Sequence, residues 1–193
     1  SGLGDHIAGV AGTIGKVLGG ALITGGAALL GGLTASVAAA AEAEKGVAQL
    51  EAVLKSTGGA VGMTKDELLG LAGGLQKVTT FEDDAVVGAE NVLLTFTNIG
   101  KNVFPEATKT VLDMSQALGQ DLKSSSIQLG KALNDPIAGI TALSRVGVTF
   151  TDSQKAMIKS MTEAGDVMGA QKMILAELNR EFGGSAEAAG ATL

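Results

Sequence analysis

From Thr34 onward the apolar positions of the chain recur at helical spacing almost throughout. Ala43, Val47, Leu50 and Leu54 step by four, three and four, which stacks them on one face of a helix ending near Ser56. Gly58 and Gly59 then break the pattern. Thr64 with Glu67 three residues later forms a capping box, in which each side chain reaches the other's backbone N–H. It predicts a helix through Leu68, Leu71, Leu75 and Val78. The next helix starts after Thr80 and carries Val86, Val87, Leu93, Leu94 and Phe96 before Gly100. Pro105 suits the first position of a helix, where its missing N–H would have no intrahelical partner. That helix is expected to bury Val111, Leu112, Met114 and Leu118 and to stop at Gly119.

A short helix around Ile127, Leu129 and Leu133 runs to the Asn134-Asp135-Pro136 turn, followed by a brief one with Ile137, Ile140 and Leu143. Val146 to Phe150 reads as a few extended residues. Thr151 and Gln154 make a second capping box, launching a helix with Met157, Ile158 and Met161 that Gly165 interrupts. A last helix holds Val167, Met173, Ile174, Leu178 and Phe182 and ends at Gly183 and Gly184. No run alternates with period two for long enough to build a substantial sheet. The expectation is an all-α chain of short amphipathic helices without a fixed repeat.

The N-terminal part has a different character. Val17 to Ala41 is twenty-five residues without a formal charge, bounded by Lys16 and by Glu42, Glu44 and Lys45. That is long enough to span a bilayer as a helix. Val17, Leu18, Leu22, Ile23, Leu29, Leu30, Leu33 and Val37 would each favour insertion by roughly 0.3 to 0.6 kcal/mol, about 2 to 5 kcal/mol together. Six glycines, Thr24, Thr34 and Ser36 oppose it, so insertion is marginal. Gly20, Thr24, Ala28, Gly32 and Ser36 recur every four residues, and Gly15 with Gly19 makes a GxxxG. One face is therefore smooth enough for close helix–helix packing. A self-associating, weakly inserting helix fits this pattern better than a permanent anchor. The competing reading is a Gly/Ala-rich segment buried in a larger assembly, because each Gly costs a helix about 1 kcal/mol relative to Ala. The chain divides on this basis into a Gly/Ala-rich apolar segment, 1–41, and a helical region, 42–193.

Composition narrows the function classes. With no Cys there are neither disulfides nor thiolate chemistry, and with five Phe and no Trp or Tyr a large rigid core is not expected. A net charge of −6 repels phosphate backbones and disfavours nucleic-acid binding through a cationic patch. The chain opens on Ser1-Gly2 without a Met and reads as an excerpt of a longer polypeptide. His6 is the single histidine, so neither an internal triad nor a multi-histidine metal site can be assembled. Glu82, Asp83 and Asp84 fall in the first turn of a predicted helix, where negative charge complements the dipole. Ser124, Ser125 and Ser126 lack a nearby base and suit a helix start. The Gly15-Lys16, Gly100-Lys101 and Gly130-Lys131 pairs lack the upstream glycine of a phosphate-binding loop. No catalytic, metal or cofactor site is assigned.

The most distinctive text runs from Asp113 to Lys155, DMSQALGQDLKSSSIQLGKALNDPIAGITALSRVGVTFTDSQK. It resembles the central region of siphophage and prophage tail length tape measure proteins, as do LLTFTNI at Leu93–Ile99 and GAQKMILAELNREFGGSAEA at Gly169–Ala188. The resemblance covers roughly Ala43 to the C-terminus. It implies a structural virion protein rather than an enzyme. Such a protein lies in the lumen of the tail tube, sets tube length during assembly, and leaves on ejection to assist DNA passage across the host envelope. The partners implied are the tail tube protein, tail tip or baseplate proteins, tail assembly chaperones, further copies of the chain with three favoured, and the host membrane. Sequence-specific nucleic-acid binding is not among them. The implied locations are the virion tail, the host cytoplasm during assembly and the host inner membrane on ejection. Fully helical, 193 residues would reach about 290 Å at 1.5 Å per residue, and the Gly and Pro breaks forbid that, so length measurement is not assigned to this segment alone. A stand-alone pore-forming or bacteriocin-like membrane protein is the rival.

Overall fold

The computed structural model describes residues 26–192, with side chains from residue 40 onward. The chain divides into two units, Ser1–Glu42 and Ala43–Leu193. Of the first, the described part is the helical backbone from Gly26, which opens α1 (Gly26–Ser56). The rest of the description concerns the second unit.

That unit is all helix and connecting turn, with no strand among the described residues. Its elements are the end of α1, then α2 (Lys65–Gln76), α3 (Asp83–Leu93), α4 (Phe104–Leu118), α5 (Leu122–Asn134), α6 (Pro136–Ser144), α7 (Asp152–Glu163), α8 (Val167–Phe182) and α9 (Ser185–Gly190). Both capping boxes form: Thr64 N donates to Glu67 Oε2 at 2.8 Å and Thr151 N to Gln154 Oε1 at 2.7 Å. Pro105 sits in the first turn of α4, and Gly119, at φ +64°, ends that helix in the left-handed region that disfavours a side chain.

Helices pack mainly on near neighbours: α2 on α3, α3 on α5, α5 on α4 and α6, α7 on α8. Two longer connections close the unit, α8 against α4 and α9 against α4. The main core gathers Leu50, Leu68, Leu93, Phe104, Met114, Leu129, Leu133, Ile158, Ile174 and Leu178. A smaller cluster of Ala72, Leu75, Val86, Val87 and Leu112 receives Ala186 of α9. Scarce aromatics do not prevent a contiguous core, because Leu, Ile, Val and Ala side chains fill it.

Two expectations, for Val78 and Leu118, are corrected. Val78 lies beyond the end of α2 and is 48% exposed, because the helix stops at Gln76 and the chain turns there. Leu118 is 37% exposed at the last turn of α4, past the reach of its partners. Ile137 and Met157, 37% and 47% exposed, lie on the outer faces of α6 and α7, which bury Ile140 and Ile158 instead. Val148 to Phe150 forms no strand, though it alternates as an extended segment would, with Val148 and Phe150 buried and Thr149 outward. The six-residue α9 was not anticipated: its only buried residue is Ala186, so no apolar stripe announces it.

Candidate assembly surfaces

All the residues expected to insert in a membrane or to mediate helix pairing, Val17 to Val37 and Gly15 to Ser36, have side chains outside the described residues. Ala28, Leu29, Leu30, Gly32, Leu33, Ser36 and Val37 stand on the helical backbone of α1. Among the described residues no helix is long and apolar enough to cross a membrane.

The candidate chemical groups serve the fold. Glu82 precedes α3 and accepts from Gln76 Nε2 at 2.7 Å, while Asp83 and Asp84 accept backbone N–H groups of the first turn. Asp121 caps α5, accepting from Ser124 N at 2.8 Å and Ser124 Oγ at 2.7 Å, and these bonds hold its carboxyl below the usual range. Ser126 Oγ bonds back to Leu122 O at 2.7 Å. Lys101 pairs with Glu67 at 2.7 Å, and this contact, with the Thr64 cap, lowers the Glu67 pKa. Gly130 lies against the Phe96 ring: a Cβ there would come within 2.2 Å of it. His6 and the Gly15-Lys16 pair lie outside the described residues. No group of three or more acidic, His or Cys side chains suited to a metal comes together among the described residues.

What the fold does place together is a set of buried polar connectors between distant segments. Gln171 of α8, 1% exposed, donates through Nε2 to Asn98 O at 2.8 Å and to Leu133 O at 2.9 Å. It thereby fastens the turn after α3 and the end of α5 to α8. Asn98 and Asn134 reinforce that junction, with Asn98 Nδ2 donating to Asn134 O at 3.0 Å. Asp113 of α4 accepts from Ala186 N at 2.9 Å, fixing α9, and pairs with Lys109 at 3.2 Å. Glu177 of α8, nearly buried, accepts from Gln154 Nε2 at 2.7 Å and pairs with Arg180, whose guanidinium holds it below the ordinary carboxylate range. Asn91 Nδ2 reaches Gly46 O at 3.0 Å, tying α3 to α1. Gln171, Asp113 and Glu177 are buried, and their bonds satisfy groups that would otherwise cost about 1–3 kcal/mol.

Glu90 is not satisfied in this way. It is fully buried in α3, neither carboxylate oxygen has a hydrogen-bond partner, and burial pushes its pKa up to about 8. Sequence reasoning passed over Glu90, Asp113, Gln171 and Glu177. The signal for Glu90 is its place one turn after Val86 and Val87 and one before Leu93, on the apolar stripe of its helix.

The family model described as prophage tail length tape measure protein matches residues 1–159. No curated protein and no solved structure matches the chain.

Proposed function

Because this chain belongs to the family of prophage tail length tape measure proteins, structural components of the phage tail, we propose that it is the portion of a tape measure packed in the lumen of the tail tube. In this reading it helps set tail length while the tube polymerises and leaves the tube at ejection to assist DNA passage across the host envelope. Its partners are then the tail tube protein, tail tip or baseplate proteins, tail assembly chaperones and further copies of itself, three to a tail. The family match over residues 1–159 carries the reading.

Residues 1–41 act as a Gly/Ala-rich, membrane-active segment and residues 42–193 as the helical tape region. Val17, Leu18, Leu22, Ile23, Leu29, Leu30, Leu33 and Val37 supply a few kcal/mol of insertion free energy, about 2 to 5 together. Gly15, Gly19, Gly20, Thr24, Ala28, Gly32 and Ser36 provide the close-packing face between copies.

Two experiments test these parts separately. An epitope inserted at the exposed Gly58-Gly59 turn is expected to be shielded in intact tails and lost from them after genome release; an epitope reached by antibody on intact tails excludes the lumen. Leu22→Lys or Leu29→Lys is expected to abolish liposome permeabilisation by the chain. Leakage unchanged by either substitution rules out insertion.

A further inference from the structure

Helices α3 and α5, which pack on each other, carry three buried polar residues with unsatisfied atoms: Glu90 through both carboxylate oxygens, Asn91 through Oδ1 and Ser125 through Oγ. Glu90 and Ser125 are both fully buried. Two contacts join these helices. Leu122, at the start of α5, packs on the cluster containing Val86 and Val87 of α3, and Gly130 of α5 lies under Phe96, just past the end of α3. Glu90 lies one turn beyond Val86 and Ser125 one turn beyond Leu122, and neither Glu90 oxygen bonds to the Ser125 hydroxyl. A carboxyl group in this setting has an apolar surround and no hydrogen-bond partner among the described residues.

Among the described residues no counter-ion reaches it. The charged groups on the elements packed around α3 are engaged elsewhere or exposed: Lys65 of α2 pairs with Glu51 of α1, Glu67 of α2 with Lys101, Lys109 of α4 with Asp113 and Glu187. Asp66, Glu106, Lys123 and Lys131 are exposed or half-exposed on α2, α4 and α5, as are Glu44 and Lys45 on α1 and Asp83 and Asp84 on α3 itself. An ionised carboxylate without a partner in such a place is strongly disfavoured, whereas the neutral acid retains an O–H that can donate.

We propose that Glu90 is a proton-controlled joint: the helical unit is folded around the neutral acid, and removal of that proton from the buried face of α3 loosens the unit. The folded state binds a proton that the unfolded chain, with an ordinary carboxyl, has released by neutral pH. Stability from this site is full below the ordinary Glu range, declines as pH rises, and is gone above the folded-state value. The acid limb common to carboxylate-paired proteins is thus opposed by a limb of reversed sign near neutrality.

Urea unfolding of the full chain, followed by circular dichroism between about pH 5.5 and 7.5, tests this in wild type, Glu90→Gln and Glu90→Met. The wild-type unfolding constant is expected to rise close to tenfold per pH unit, while both variants stay nearly flat. Comparing slopes between proteins cancels any contribution of His6, the one other side chain with an ordinary pKa in that window. A wild-type rise below about threefold per unit, or one retained in either variant, overturns the proposal. Carboxyl ¹³C NMR of the folded wild type gives a second reading that needs no variant. One glutamate is expected to titrate above pH 7, and a complete set titrating below about pH 6 refutes the joint.

Discussion

Gly139 provides a substitution whose sign depends on the fold. In an exposed helix interior, Gly→Ala stabilises by roughly 0.5–1 kcal/mol, because Ala loses less backbone freedom on folding. At Gly139 a Cβ would stand 2.4 Å from Ala132 Cα and 2.5 Å from Ala132 O, backbone atoms that no rotamer change can move aside. Nor can the helices slide apart easily: a single residue, Asp135, closes α5 and opens α6, accepting from Ala138 N at 3.2 Å. Restoring ordinary contact needs about 1 Å of displacement through a packed core, at a cost near the upper end of the 1–3 kcal/mol typical of overpacking. After the helix gain is subtracted, Gly139→Ala is expected to destabilise by about 2 kcal/mol, lowering Tm by roughly 4–8 °C in a unit of this size. Gly88 of α3 supplies the control, since a Cβ there meets nothing within 4 Å. Gly88→Ala should raise Tm by about 1–4 °C. The pair is measured by thermal unfolding. If Gly139→Ala proves as stabilising as Gly88→Ala, the close α5–α6 approach is wrong.

Two further outcomes follow from the buried connectors. Gln171→Ala removes the donor for Asn98 O and Leu133 O and is expected to cost about 2–4 kcal/mol, combining orphaned acceptors with lost packing; a change in the urea midpoint within error would count against the junction. At the acid end, the lowered pKa of Glu177 contributes stability that is full above its ordinary 4.5 and lost as pH falls through the folded value. Arg180→Met should therefore move the acid-unfolding midpoint to higher pH, and coincident acid profiles would show that the pair contributes nothing.

Much of the helical architecture was legible in local signals. Thr64 and Thr151 announced their helices because a capping box is a reciprocal, short-range bond that depends on four consecutive residues. Pro105 and Gly119 bracketed α4 for equally local reasons, a missing donor at one end and a left-handed residue at the other. The apolar stripes also identified most of the core, including Leu50, Leu68, Val111, Leu129 and Ile174. Periodicity could not say where a helix or its neighbour ends, so Leu118 was expected to be buried and is not, and Val78 falls beyond the helix that was expected to include it. The connectors were invisible for the complementary reason. Gln171 meets Asn98 across 73 positions and Asp113 meets Ala186 across the same separation, pairings that only the packed chain creates. Glu90 left a trace as an acid on an apolar stripe, but a stripe does not reveal whether a neighbouring helix brings it a partner.

The family-model match and the folding unit do not end at the same place. The matched region stops at residue 159, inside α7, yet Ala170, Ile174, Leu175 and Leu178 of the following helix are core residues, and Gln171 there bonds the turn after α3. Trimming the chain to its recognisable portion would strip away a wall of the hydrophobic interior and orphan two backbone carbonyls. A polypeptide cut at that point would expose a sticky aliphatic trough, and the 16 residues of the helix that follows are as necessary to a covered interior as anything the family model matches.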